Sequence, residues 1–437
     1  MTLKNNRQER ALKKRIKTKP EQLETYFELA ELYQDQTRFE DAEKVLRSAL
    51  EIPLKPVEWA TTRNRLGWAL FNQERYHAAL DIAISVITKS ADGVNLAEAY
   101  YLAGVCYGEK WCPEEKSAAH QEHHLACVSN LEQALAAAKT IKDHDLQGHV
   151  LASLASIREV EGRSEEAIEL LQDALSLPNL ELHTLRACHA QLGCLYDDYY
   201  QDYDKAKHHF KEAIKYGEAE EATEKSNALS WIYRRLAIAQ KLSGDMPAAL
   251  VSASKALEKV DMSVPATGKI READAHRLMG DLNYEINQFD VAIKHYKKYL
   301  NLEQEDNEGR ASVQMYLGYA LVGTNNYRQA RKYLSAALRS DLVFDAKGYI
   351  LAQLGHAVYQ LKDFRQAVQY YTEALEYLKE DDKVQPTVYR KLGHSLFYLW
   401  EYAEAAHNYR EALRLLAPND PFRAELLQYL VYANERK

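Results

Sequence analysis

Glycine and proline are scarce in this 437-residue chain, at 17 and 10, about half the ~12% that the two contribute to ordinary proteins. So few turn-formers exclude a large β protein built on tight hairpins. Cysteine numbers only five, a sparse and odd count that argues against a disulfide framework and for a reducing compartment. No apolar run reaches the ~18 residues a membrane helix needs. None of ~7–15 follows the early positive charges, as a secretory signal requires. The expected location is therefore cytoplasmic. Phe is outnumbered by Tyr, 9 against 30, a bias that suits a long, thin, half-exposed core. Catalytic signatures are missing as well: there is no phosphate loop, GxGxxG, GxSxG, HExxH or CxxC. No enzyme activity and no cofactor are expected.

What is present begins with charge. The net charge is −8, yet residues 1–19 carry eight basic residues (Lys4, Arg7, Arg10, Lys13, Lys14, Arg15, Lys17, Lys19) against one acid, Glu9. The rest of the chain is strongly acidic and has no general attraction for nucleic acid or anionic lipid. The leader reads either as a solvated, frayed helix or as an anchor.

A repeat dominates the remainder. An apolar residue precedes a small one, and a second apolar or aromatic residue follows three positions on. An Ala comes twelve after the small residue, then a large apolar residue and another small one. Leu317-Gly318 leads Leu321, Ala330, Leu334 and Ala337; Leu392-Gly393 leads Leu396, Ala405, Tyr409 and Ala412. Ten copies align on Ala30, Gly67, Gly104, Ala155, Gly193, Ala237, Gly280, Gly318, Gly355 and Gly393. Steps of 3, 4 and 7 are the stripe of an amphipathic helix, and the small columns let paired helices approach closely. Each copy is thus a pair of helices. Copy five carries one extra residue in its turn.

This pattern resembles the tetratricopeptide repeat. The resemblance implies an all-α fold, a right-handed superhelical α-solenoid of tandem helix-turn-helix repeats. The expected organisation is a basic segment over 1–22, about ten repeats over 23–417 and a C-terminal capping helix over 418–437, opened by Asp420-Pro421. An insertion falls near 108–126. There Cys112-Pro113-Glu114-Glu115 looks like a helix start, and His120, His123, His124 and Cys127 follow at spacings of three and four. That spacing can present ligands to one metal. Burial of Cys127 in an Ala column and exposure of the histidines is the stronger expectation, so no metal is assigned.

The resemblance places the first helix of each repeat on a concave side. Helical periodicity then puts positions −3, +1 and +5 from the small residue on the groove face. Early copies offer Phe27, Asn64, Trp68, Tyr101 and Val105. Later copies offer Arg234, Ile238, Arg277, Asp281, Met315, Tyr319, His356, Arg390, His394 and Tyr398. Arg and aromatic side chains are the usual hot spots of recognition. The family's carboxylate clamp for chaperone tails is not reproduced in any three consecutive copies; only Asn64 matches. The expected function is a non-catalytic scaffold or adaptor holding a peptide or protein segment, acidic in character, in its groove. The alternative is an RNA-binding repeat protein using the leader and the Arg-lined arc. Partner identity and oligomeric state are not encoded in any motif.

Overall fold

The computed structural model describes residues 3–90, 92–110, 117–220, 226–262, 265–305, 307–340, 346–379 and 382–436. Among them are 22 α-helices and no strand, grouped in two compact units, Met1–Glu224 and Lys225–Lys437.

The first unit opens with α1 (Leu3–Thr18). Pairs follow: α2 (Leu23–Gln34) with α3 (Phe39–Ala49), α4 (Pro56–Phe71) with α5 (Tyr76–Lys89), and α6 (Gly93–Lys110) with α7 (Ala118–Ile141). Next come α8 (His144–Val160) with α9 (Ser164–Ser176) and α10 (Leu182–Asp198) with α11 (Tyr203–Glu220). The second unit pairs α12 (Asn227–Leu242) with α13 (Met246–Glu258), α14 (Pro265–Glu285) with α15 (Phe289–Leu302), and α16 (Glu308–Gly323) with α17 (Tyr327–Leu338). It continues with α18 (Lys347–Gln360) and α19 (Phe364–Tyr377), then α20 (Gln385–Tyr398) and α21 (Tyr402–Leu415), and closes on α22 (Phe422–Asn434). Each of the ten aligned small residues lies in the first helix of a pair.

Close approach explains the glycine column. A Cβ on Gly393 would lie 2.6 Å from the Tyr409 ring, and one on Gly318 would lie 2.5 Å from Leu334. Neither distance is tolerable, so the large residue of the second helix fills the space that glycine leaves. Tyr409, Leu334 and Phe210 are fully buried in this way, each worth roughly 2–3 kcal/mol of transfer free energy. Where the first helix has Ala237, the facing residue shrinks to Ala253, also fully buried.

The turns inside the pairs need a left-handed residue, and mostly do without glycine. Thr37, Glu74, Asn287, Asn325, Lys362 and Trp400 have φ between 57° and 68°; only Gly162 and Gly244 supply the residue usual there. Seven positions separate each from its aligned small residue. In copy five the extra residue moves the position to Gln201. The next amide then bonds back to the helix end, as Arg38 N does to Tyr33 O and Glu401 N to Leu396 O, the Schellman closure of a helix C-terminus.

Successive first helices also pack on one another, α4 to α6 to α8 to α10 in the first unit and α12 through α14, α16 and α18 to α20 in the second. They form a continuous layer in each unit. The second helices pack on this layer from behind.

One expectation changes. The basic leader is not frayed: α1 docks on α2 through Leu12, which is buried. Its one acid, Glu9, accepts from Arg38, Lys13 and Tyr33, and those donors, Arg38 foremost, hold the carboxyl down at about 2. The inserted helix α7 begins at Ala118, where Ser117 Oγ accepts from His120 N. The start read at Cys112-Pro113 lies outside the described residues.

Candidate functional site

In the second unit a pocket of about 430 Å³ opens between α18 and α20. α18 contributes Ala352, Gln353 and His356, and α20 contributes Thr387, Val388, Arg390 and Lys391. Tyr371 of α19 forms part of the lining; it is 2% exposed, and its hydroxyl has no hydrogen-bond partner among the described residues. An unpaired buried hydroxyl is costly, so a ligand acceptor here would relieve it. The basic groups sense one another. Burial, then Arg390, holds the Lys391 ammonium below its usual range. Burial, then Lys391 and Arg390, does the same to His356.

Arg390 is preorganised. Its guanidinium lies 3.7 Å from the ring centroid of Phe422, and its Nη1 donates to Glu425 Oε2 at 3.3 Å. Both partners belong to α22. Geometry of this kind, two cations and an imidazole over aliphatic walls, suits a carboxylate side chain or chain terminus.

Of the residues expected in the groove, His356 and Arg390 meet in this pocket. Arg234 and Arg277 belong to a separate basic cluster on α12 and α14. There Arg234 Nε lies 3.7 Å and Arg271 Nη1 3.9 Å from Asp274 Oδ2. Burial is the main cause lowering Arg234, and Arg271, Arg235 and Arg277 add to it. Tyr319 is half-buried, its hydroxyl unpaired among the described residues, and it does not line the pocket.

His394 is not a groove residue. It is 4% exposed, its Nδ1 sits 3.0 Å from Tyr409 Oη, and Tyr429 of α22 meets it edge-on at 4.6 Å. Met315 and Asn64 are buried too; Asn64 Nδ2 donates to Asn95 O at 2.9 Å. A neighbouring helix covers one edge of the first-helix face at two of these positions, α22 over His394 and α6 over Asn64.

The first unit carries the aromatic pair Trp68 and Tyr101, with ring centroids 5.4 Å apart. Tyr101 lies in turn 6.2 Å from the His149 ring. The insertion's histidines have separate partners. His120 Nδ1 is 2.7 Å from Ser117 Oγ, His124 Nε2 is 2.7 Å from Glu161 Oε1, and the His123 ring lies beside Tyr107. Cys127 is buried, which pushes its thiol up to about 12. Among the described residues the one group of three with metal-ligating atoms within 4.8 Å of one another is Asp145, His149 and His183. Sequence reading missed this group and Lys391. The four-residue step from Asp145 to His149 was its only local signal.

The chain is a tetratricopeptide repeat protein: models of that repeat match residues 23–55, 59–90 and 317–383. No curated protein sequence matches it. Solved structures similar to it include BtubC from P. vanneervenii, 22% identical, covering 48% of this chain and 88% of that one at a TM-score of 0.42. YrrB, described as a TPR protein with an unusual peptide-binding site, is 17% identical over 52% of this chain and 97% of its own, at 0.39. PilF of Pseudomonas aeruginosa is 17% identical over 58% and 99%, at 0.41.

Proposed function

We propose that the protein is a non-catalytic interaction scaffold whose second unit grips an acidic segment of a partner protein between α18 and α20. The observation that carries this reading is the convergence of His356, Arg390 and Lys391 on a pocket that also holds the unpaired Tyr371 hydroxyl. Valine side chains along the same pocket would take the aliphatic part of a Glu or a C-terminal residue. The Arg234, Arg271 and Arg277 cluster offers a further cationic contact for an acidic group on the first-helix layer.

The test is fluorescence polarisation with a panel of labelled peptides ending in acidic residues, alongside amidated copies. Arg390→Glu with Lys391→Glu is expected to weaken the best binder at least about tenfold, the effect of ~1.4 kcal/mol. Equal binding by wild type and the double variant would sink the assignment.

A further inference from the structure

Asp145, His149 and His183 lie in the first unit and take no part in the pocket above. Asp145 and His149 stand four apart on α8 and so share one helix face. His183 sits in the first turn of α10, the first helix of the following repeat. Gly148 permits this crossing, since a Cβ there would lie 2.9 Å from Thr184 Cγ2. The two imidazoles stack with centroids 4.6 Å apart, and their Nε2 atoms are 2.5 Å apart. Asp145 Oδ2 is 3.5 Å from His149 Nε2 and 3.9 Å from His183 Nε2.

Three donor atoms on one small triangle is the arrangement that a tetrahedral ion imposes. Ligands at ~2.0–2.1 Å from zinc stand ~3.3 Å apart. The Asp145 separations of 3.5 and 3.9 Å lie near that value, and the two Nε2 atoms, in hydrogen-bond contact at 2.5 Å, must part by ~0.8 Å to admit the ion. The surroundings orient the ligands as metal sites require. Asp145 Oδ1 accepts from Glu181 N at 2.9 Å and from Thr184 Oγ1 at 2.6 Å, while Oδ2 lies beside the imidazoles. On the far side of its ring, His183 Nδ1 lies 3.3 Å from Glu181 Oε2. A proton held there by the carboxylate leaves the Nε2 lone pair for a cation. Side-chain exposures of 21%, 27% and 34% for Asp145, His149 and His183 give an ion a way in.

We propose that Asp145, His149 and His183 form a site for a first-row divalent transition metal of the zinc class, bound through Oδ2 and the two Nε2 atoms with a fourth position open. Two neutral imidazoles and one carboxylate are the nitrogen-rich, borderline donor set that zinc prefers over calcium or magnesium. An ion held there ties α8 to α10 and stabilises that junction by mass action.

The test uses the full chain, stripped with a chelator and titrated with zinc against a competing indicator, then with cobalt to read ligand geometry from its visible absorption. One equivalent of zinc is expected to bind, raising the melting temperature, and cobalt to give a tetrahedral spectrum. His183→Ala, at a partly exposed position, should lower zinc affinity at least about tenfold and remove the cobalt band. Glu181→Gln, whose side chain is 70% exposed and free to change without unfolding the chain, should weaken binding by about tenfold while keeping the stoichiometry. A chain with His120, His123 and His124 all changed to Ala should bind as wild type does. Zinc binding that is absent, or that His183→Ala leaves unchanged, overturns the proposal.

Discussion

The two units are built alike and equipped differently. Each stacks five helix pairs with one additional helix, α1 in the first and α22 in the second. Glycine columns serve both in the same way: Gly193 makes room for Phe210 as Gly393 does for Tyr409. On the first-helix layer, however, the first unit presents Trp68, Tyr101, His149 and His183, and the second presents Arg234, Arg271, His356, Arg390 and Lys391. Packing positions are constrained by contact distance, so they repeat. Layer-facing positions carry no such constraint, so they are where the two halves diverge, and chemistry resides there rather than in the fold.

The sharpest way to break that contrast is to exchange the tests. Arg390→Glu with Lys391→Glu should lose acidic-peptide binding about tenfold or more in polarisation assays and leave zinc titration unchanged. His149→Ala with His183→Ala should do the reverse. If either pair affects both readouts, the separation of roles is wrong. Within the second unit, Glu425→Gln should tighten peptide binding a few-fold, because Glu425 occupies Arg390 in the free protein.

The shared glycine column predicts a comparable stability cost in either unit. Gly393→Ala forces a methyl against Tyr409 and should destabilise by ~1–3 kcal/mol, and Gly193→Ala against Phe210 by a similar amount, read from denaturant melts. An unshifted midpoint for both would show that the helices can part without penalty.

Acid should act on both units. His276 and His394 in the second and His209 in the first are each held at about 4, below the ordinary 6.5. Burial is the main cause throughout, with the neighbouring charge of His295, Lys391 and His189 respectively next in order. Above pH 6.5 these groups are neutral folded or unfolded and favour neither state. As pH falls from 6.5 to 4 the unfolded chain takes up protons that the folded chain refuses, so stability is lost through that window. Melting curves across it should show the decline, and His276→Gln should flatten part of it in the second unit alone.

The smallest effect concerns the turns. Trp400 and Lys362 adopt left-handed backbone without being glycine. Their replacement by Gly should stabilise by up to ~1 kcal/mol, a melting increase of a degree or two. A decrease would mean that the side chains contribute more contact than the backbone conformation costs.

Much of this was legible in the residues because repeat contacts are short in sequence. Gly318 meets Leu334 sixteen positions on, inside one helix pair, so a period in the sequence is a period in the contacts. The ten pairs and the displaced turn of copy five follow from that alone. Site geometry is less local. Asn64 and His394 occupy groove columns by periodicity, yet α6 and α22 cover them. Lys391 falls outside those columns, yet it lines the pocket beside Arg390. Asp145 and His149 find His183 only because α8 and α10 pack side by side.

The helices, their pairing and the glycines of the contact column were therefore written in the residue pattern itself. The structure was needed to show that Thr, Glu, Asn, Lys and Trp make most of the left-handed turns and glycine only those at Gly162 and Gly244. Tertiary structure alone decided which first-helix side chains stay open and which of them meet. Helical period assigns a residue to a face, but lateral packing between helices tens of residues apart decides whether that face is covered, and it brings separated ligands within a few ångströms.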